Sequence, residues 1–233
     1  MLGKGIVIQS RMSSSRLPAK AGLSMPSGRC CIQEVVHRME QYLTDRSIQI
    51  PIIVACPSED FSIYEKLIEN TSAILFGGDR DNVASRFLGA CVENKLEKVI
   101  RVTGDNPFVC WDVLDFIFDI DKNEVDKCLS LYSQKKLPNG TIVSSIGIKY
   151  LEQICKLNCP LAHEHLVISN VEEINHNILT PNLPDALIWP EGRFCLDDLK
   201  DYYYIHKNPK LAEYFTVKEM KKNISKWDII QRY

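Results

Sequence analysis

Short apolar runs alternate with helix-period segments over the first 130 residues of the chain. Continuous apolar runs of strand length are typical of buried strands, and apolar residues that recur every three or four positions indicate helices packed on one face. Strands separated by helices predict right-handed βαβ units, and hence an α/β fold with a mostly parallel sheet covered on both faces. The predicted strands are 6–8, 52–55, 73–76 and 99–102, and the predicted helices are 32–43, 61–70, 83–91 and 113–120.

The pattern after residue 130 is less regular. It predicts strands at 141–143, 187–189 and 194–196, and helices at 149–156, 161–171 and 197–205. The sequence contains no Pro-, Gly- or Ser-rich linker and no internal repeat. We therefore predict a single domain over residues 1–233, with a less regular excursion at about 137–185.

Composition excludes several classes of protein. Hydrophobic residues make up 45% and charged residues 25% of the 233 residues, which is typical of a globular protein and not of a disordered one. The formal net charge of -2 gives no support for a nucleic-acid or membrane-surface binder. No segment approaches the roughly 20 apolar residues of a membrane-spanning helix. Nine scattered cysteines and the lack of a signal-peptide pattern favour a reduced, cytoplasmic protein.

The loop after the first predicted strand carries the most informative chemistry. Residues 9–20 hold three cations, Arg11, Arg16 and Lys20, together with three consecutive serines and no acid. Ligands bind at the carboxyl ends of strands in open α/β folds. Arginine offers a planar fork and lysine a point charge to phosphate oxygens, and small residues let backbone N–H groups approach an anion. The loop therefore favours a triphosphate; a solvated basic loop is the alternative.

Two aspartates at predicted strand ends are candidates for a metal site. Asp105 follows the strand 99–102 in a Gly-Asp-Asn-Pro turn, so we expect its carboxylate to point into the same cleft as the basic loop. Asp197 follows the predicted strand 194–196. Mg²⁺ typically takes one or two protein carboxylates together with substrate phosphates and waters. The alternative for both residues is a helix N-cap, a position that aspartate strongly favours.

The basic loop also carries a family resemblance. The spacing Gln9-x-Arg11-x-x-Ser14-x-Arg16-Leu17-Pro18-x-Lys20 resembles the signature loop of sugar nucleotidyltransferases that activate acidic sugars with CTP. The resemblance is closest to the spore-coat-polysaccharide-type cytidylyltransferases and more distant to CMP-Kdo synthetase. Five further segments match in the expected order: Gly78 to Phe87, Val99 to Pro107, Leu137 to Gly140, Glu164-His165 and Arg193 to Asp201.

The resemblance implies a fold, a reaction and a set of roles. The fold would be a three-layer, Rossmann-like nucleotidyltransferase fold, and the reaction would join CTP to a small acidic sugar with release of pyrophosphate. Mg²⁺ would bind at Asp105 and Asp197, and Arg11, Lys20 and Asp105 would be catalytic. A homodimer is also implied. The nucleotide would contact Gln9, Arg11, Ser14, Arg16, Lys20, Asp81 and Arg86, and the sugar would contact Asn139 and His165.

The sequence departs from the family pattern at four positions. The usual glycine before the loop lysine is Ala19, and the aspartate of the Pro-Asp-Gly turn is Asn139. Ile142 and Ser144 replace acidic residues that often follow that turn. Because these changes fall mainly in the region that the resemblance assigns to the acceptor sugar, they affect the expected identity of the sugar more than that of the nucleotide.

Other functions stay open at this point. Asp79-Arg80-Asp81 matches the Asp-x-Asp motif of metal-dependent glycosyltransferases, although the basic loop suits a triphosphate better. A non-catalytic nucleotide-binding homologue is a further alternative. For Asp81 and Arg86 the alternative is a solvated pair on one helix.

Two other kinds of site are not supported by the sequence. Gly77-Gly78 lacks the full dinucleotide fingerprint, so an NAD site is not indicated. A zinc site is disfavoured, because a helix over 161–171 would direct two of its candidate ligands to different faces. The candidates are Cys159, His163 and His165.

Overall fold

Seven strands form one sheet in the part of the chain that the computed structural model describes, which is residues 3–131, 135–157, 159–160, 166 and 177–224. In chain order they are β1 Lys4–Gln9, β2 Ile52–Pro57, β3 Ile74–Gly78, β4 Lys98–Thr103, β5 Cys128–Ser130, β6 Ser144–Gly147 and β7 Ile178–Leu179. Their order across the sheet is β3-β2-β1-β4-β6-β5-β7. Among the described strand pairs, β4–β6 and β5–β6 are antiparallel and the other four are parallel, so the sheet is mostly parallel, as predicted.

Helices cover both faces of this sheet. They are α1 Cys31–Asp45, α2 Phe61–Ile68, α3 Val83–Glu93, α4 Trp111–Ile120, α5 Ile148–Lys156, α6 Leu199–Lys207 and α7 Val217–Asn223. Buried residues of α1, α2, α4, α6 and α7 pack with Ile6 and Ile8, whereas those of α3 and α5 pack with Val7. Because successive residues of a strand point to opposite faces, β1 is buried on both sides. The predicted α/β fold with three layers is confirmed.

The strand order changes direction at the carboxyl ends of β1 and β4. From β1 the chain first builds outward through β2 and β3, and it then returns to place β4 on the other side of β1. The carboxyl ends of β1 and β4 lie side by side, with Gln9 opposite Thr103. Open α/β sheets bind ligands at such a switch point. The basic loop and Asp105 follow these two strand ends directly.

Predictions for the first 130 residues are confirmed with small shifts at element ends, but several later ones are wrong. The strand predicted at 141–143 begins at Ser144, because Thr141 folds back and donates from its backbone and its hydroxyl to the Pro138 carbonyl. Residues 187–189 form no strand, since Asp185–Leu187 is a 3₁₀ turn. Residues 194–196 lie outside the sheet, although the Leu196 N–H donates to the Asp105 carbonyl at 2.8 Å.

The remaining predictions for residues after 120 are partly wrong and partly untested. Strand β5 was not predicted from the sequence, and the helix predicted from 197 begins at Leu199. The helix predicted over 161–171 falls outside the described residues apart from Leu166. The predicted single domain stays a prediction, although β6 and β7 from the excursion join the same sheet as β1. Among the residues described, none of the helices has the length and apolarity needed to cross a bilayer.

Candidate active site

Local hydrogen bonds give the loop after β1 a defined shape. The Met12 carbonyl accepts from the backbone N–H groups of Ser14 at 3.0 Å and Ala19 at 2.9 Å. The Met12 N–H donates to Asp60 at 2.9 Å, which joins the loop to the start of α2. Ala19 has a left-handed backbone with φ 57° and leads into a 3₁₀ turn at Lys20–Gly22. Glycine adopts this left-handed conformation without a steric penalty, whereas the Cβ of alanine makes it strained there.

Ala19→Gly should raise the free energy of unfolding by about 0.5–1 kcal/mol. The left-handed conformation costs a non-glycine residue about 1–2 kcal/mol, and glycine offsets part of that gain through a more flexible unfolded chain. Urea unfolding of the two proteins measures the difference. The control is Ala186→Gly, at an exposed position without a positive φ, which should lower stability. Equal losses in both variants would show that Ala19 is not strained.

A cleft of about 270 Å³ opens at the switch point. Gly104 allows the walls to approach closely, since a Cβ there would lie 2.6 Å from Ser10 Oγ. Six residues predicted for the site meet here, together with five that were not. The lining residues are Gln9, Ser10, Arg11, Ser14, Ser15, Arg16, Lys20, Arg101, Thr103, Gly104 and Asp105.

Lys20 joins the two predicted metal ligands. Its Nζ donates to Asp105 Oδ2 at 2.6 Å and to Asp197 Oδ1 at 3.2 Å. Arg16 Nη2 lies 3.1 Å from the same Asp197 oxygen. Burial alone would lower the pKa of Lys20, but the two carboxylates outweigh it and the pKa is raised. Burial would likewise raise the pKa of Asp197, but Lys20 and Arg16 hold this pKa below its ordinary value.

Neither aspartate caps a helix. The N-cap of α6 is Asp198, whose side chain accepts from the Asp201 N–H at 3.0 Å. Helix α4, which follows Asp105, has Cys110 at its N-cap. The helix-cap alternative is therefore wrong for both Asp105 and Asp197, and both carboxylates face the cations of the cleft.

Arg193 forms an ion pair next to Asp197 that the sequence motif did not predict. Its Nε and Nη2 atoms donate to the two carboxylate oxygens of Asp201 at 2.9 and 2.7 Å, and Asp201 also accepts from the Asp197 N–H at 2.9 Å. The pair thus fixes the backbone that presents Asp197. Ligand atoms of Cys195, Asp197 and Asp201 lie within 4.8 Å of one another, a grouping that could hold a divalent metal ion. In the sequence, the only indication of this ion pair is that Arg193 and Asp201 lie eight residues apart within one motif.

Arg101 is a second residue that sequence reasoning missed. It lies on β4, and its Nε and Nη2 atoms donate to Gln9 Oε1 at 3.2 and 3.0 Å. Gln9 therefore holds the guanidinium of Arg101 in the cleft wall, in addition to lining the cleft itself. The sequence signal that could have identified Arg101 is its charge within the predicted strand 99–102, whose other three residues are apolar.

Asp81 and Arg86 do not form the pair on one helix that the sequence suggested. Asp81 precedes α3, whose N-cap is Asn82, and the Asp81 side chain is 89% exposed. Arg86 is 1% exposed, and its Nη1 donates to the carbonyls of Asp79 and Arg80. Burial lowers the pKa of Arg86. A solvated pair is therefore wrong for Arg86, and neither residue lines the cleft described above.

The residues expected near the sugar are only partly described. Asn139 is exposed and pairs through its backbone with the segment before Asp197, donating to Gly192 O at 2.8 Å and accepting from Phe194 N at 2.6 Å. Gly140 has φ +94°, and a Cβ there would lie 2.4 Å from Cys195 N, so this turn requires glycine. His165 lies outside the described residues, as does His163 of the disfavoured zinc site.

Comparisons with known proteins agree with this architecture. The family model for cytidylyltransferases matches residues 6–223. The spore coat polysaccharide biosynthesis protein SpsF of Bacillus subtilis (strain 168) is 35% identical over 200 residues, which cover 84% of this chain and 82% of SpsF.

Two solved structures share the fold. A cytidylyltransferase from Leptospira borgpetersenii serovar Hardjo-bovis superposes with a TM-score of 0.77 at 22% identity, over 99% of this chain and 93% of that one. CMP:2-keto-3-deoxy-manno-octonic acid synthetase complexed with CTP gives a TM-score of 0.63 at 16% identity, over 88% of this chain and 97% of that one. On the family match and the likeness to SpsF, this chain belongs to the cytidylyltransferase family of nucleotidyltransferases.

Proposed function

We propose that the protein transfers the cytidylyl group of CTP to a small acidic sugar and releases pyrophosphate, in the biosynthesis of a surface polysaccharide or glycan. The observation that carries the proposal is the cleft at the switch point, where a loop with three cations meets two carboxylates. Family membership supports the nucleotide, because a related fold binds CTP. The likeness to SpsF, a spore coat polysaccharide biosynthesis protein, supports a role in polysaccharide biosynthesis.

The cations of the loop suit the phosphates of the nucleotide. Arg11, Arg16 and Lys20 line the cleft together with Ser14. We assign them to the β- and γ-phosphates, where they would stabilise the charge that develops on the leaving pyrophosphate. Asp81 and Arg86 would act from outside this cleft, Arg86 by supporting the turn at Asp79.

The carboxylate pair fits a hard divalent cation. Asp105 and Asp197 each present an oxygen within 3.2 Å of the same Lys20 nitrogen, so both can approach one ion. Carboxylate oxygens are the ligands that Mg²⁺ prefers, and we infer that these two residues hold it. The ion would polarise the α-phosphate and lower the pKa of the attacking hydroxyl. The hydrogen bond from the Asp197 N–H to Asp201 would keep that ligand in place.

The bond changes follow from this arrangement. A hydroxyl oxygen of the sugar attacks the α-phosphorus of CTP, the bond from that phosphorus to the bridging oxygen breaks, and the hydroxyl proton passes to solvent. Such a transfer needs mainly positioning and charge neutralisation. We propose Asn139 and His165 as sugar contacts. A homodimer and a cytoplasmic location also remain predictions.

A glycosyltransferase acting through Asp79 and Asp81 is the second candidate, and the geometry disfavours it. The Asp79 carboxylate accepts from the backbone N–H groups of Asp81 and Asn82 at 2.9 and 2.7 Å. It therefore shapes its own turn, while the Asp81 side chain points into solvent.

CTP with Mg²⁺ should stabilise the protein more than UTP, GTP or ATP, and CMP should stabilise it far less. The three cations of the loop exceed what a monophosphate needs. At 100 times its Kd a ligand adds about 2.7 kcal/mol to stability, which a thermal melt detects readily. Pyrophosphate release with a pool of acidic sugars then tests the reaction. Equal stabilisation by CMP and CTP would exclude a triphosphate site.

A further inference from the structure

The ammonium group of Lys20 lies where the two carboxylates would hold a metal ion. Its Nζ bonds to Asp105 Oδ2 and Asp197 Oδ1, and the Lys20 side chain is only 12% exposed. A Mg²⁺ ion binds oxygen at about 2.1 Å, so an ion held by these oxygens would overlap the present position of the ammonium. Two cations cannot share the position, because they exclude each other sterically and repel each other strongly in a partly buried site.

The same side chain can also reach the phosphate side of the cleft. Lys20 lines the cleft beside Arg11, Ser14 and Ser15. The backbone before it is fixed by the bond from the Ala19 N–H to Met12 O, so that only the four-carbon stem of Lys20 has to move. Arg16, which contacts the same Asp197 oxygen, has a side chain that is already 64% exposed, so little burial opposes its turning away.

We propose that Lys20 occupies the metal position in the nucleotide-free enzyme, and that the phosphates of the nucleotide draw it off the carboxylates. The pair Asp105 and Asp197 then becomes available to a divalent cation together with the nucleotide. The nucleotide half of this proposal rests on the proposed function. Lys20 would thus couple the two ligands, and the coupling is reciprocal: each raises the affinity for the other by the same factor.

The first test measures metal binding without nucleotide. Mn²⁺ is titrated into the parent, Lys20→Met and Lys20→Gln proteins, and the free ion is read by electron paramagnetic resonance. Removing the competing cation should tighten Mn²⁺ binding about tenfold, the scale of a hydrogen bond to a charged group. Two neutral variants are used, so that a folding defect in one leaves the other to decide. Unchanged or weaker Mn²⁺ binding in the folded variants would overturn the proposal.

Two controls locate the effect. Lys4→Met removes a lysine that pairs with Asp121 at 3.3 Å away from the cleft, and it should leave Mn²⁺ affinity at the parent value. Adding Asp105→Asn to Lys20→Met should abolish the gain, because the ion then loses one of its two carboxylates. A gain that survives this addition would place the ion elsewhere and contradict the proposal.

The second test measures coupling. Mn²⁺ affinity is determined with and without CTP in the parent and in Lys20→Met; association of CTP with Mn²⁺ in solution is common to both and cancels in the comparison. CTP should raise Mn²⁺ affinity by a larger factor in the parent, since only there does Lys20 have to leave. If CTP raised Mn²⁺ affinity by the same factor in both proteins, the claim that the nucleotide displaces Lys20 would be overturned. The claim that Lys20 competes with the metal would stand. If CTP bound neither protein, the proposed function and this half would fail together, while the first titration would still decide whether Lys20 competes with the metal.

Discussion

Asp105→Asn should reduce turnover about 10³-fold while leaving the apo protein folded and nearly as stable as the parent. The amide keeps the shape of the side chain but lacks the charge that a hard cation requires. The carboxylate is 29% exposed and caps no helix, and Lys20 retains Asp197 as a partner, so the loss of stability should stay within about 1 kcal/mol. Paired melts with and without Mg²⁺-CTP, together with a pyrophosphate assay, measure both effects.

Two further variants interpret that result. Asp197→Asn should behave like Asp105→Asn, because Asp198 and not Asp197 caps α6. Asp79→Asn is the matched control: an asparagine oxygen can still accept from the Asp81 and Asn82 N–H groups, so turnover should be close to that of the parent. A silent Asp105→Asn combined with an inactive Asp79→Asn would remove the metal site from this proposal and favour the glycosyltransferase alternative.

The first half of the fold could be predicted because its signals are local. Strands β1 and β2 contain apolar runs buried on both faces, β4 is apolar at Val99, Ile100 and Val102, and α1 presents a clear helical period. Strand β5, by contrast, has only three residues, Cys128–Ser130, and it is a strand because β6 and β7 pair with it. Such pairing depends on residues distant in sequence, which periodicity does not detect.

Part of the site could be predicted for a similar reason. Lys20 belongs to the loop that follows β1, and Asp105 lies two residues after β4. A parallel sheet brings the ends of such neighbouring strands together. The residue type and the βαβ pattern thus contained most of the information about the cleft. The direct bond between Lys20 and the two carboxylates could not be read from the sequence, because it depends on the left-handed turn at Ala19.

The segment around Asp197 shows the limit of sequence patterns most clearly. Phe194 to Leu196 is apolar and was predicted as a strand, yet it is held outside the sheet by single contacts to Asp105 and Asn139. The segment is buried because it passes over the carboxyl ends of the strands, where Gly140 allows its close approach. The apolar residues of this segment therefore predicted correctly that it is buried, but they predicted wrongly that it is a strand.

Arg193→Met should lower the free energy of unfolding by about 3–5 kcal/mol and also impair turnover. Asp201 is 3% exposed and receives both N–H groups of the Arg193 fork, so the substitution leaves a buried carboxylate without its countercharge. Because Asp201 also holds the Asp197 N–H, the presentation of that proposed ligand should loosen as well. Urea unfolding and pyrophosphate release, measured on the same preparations, give the two effects.

Adding Asp201→Asn to Arg193→Met separates stability from positioning. The second change removes the unpaired charge, so part of the lost stability should return, because a neutral amide is less costly to bury than a lone carboxylate. Turnover should stay low, since neither variant restores the fork that fixes the segment Arg193 to Asp197. Arg193→Lys is the charge-preserving control. Because it has a single ammonium group in place of a planar guanidinium, it should retain only part of the stability and of the turnover that Arg193→Met loses. An Arg193→Met protein as stable and as active as the parent would show that the ion pair neither supports the fold nor positions Asp197.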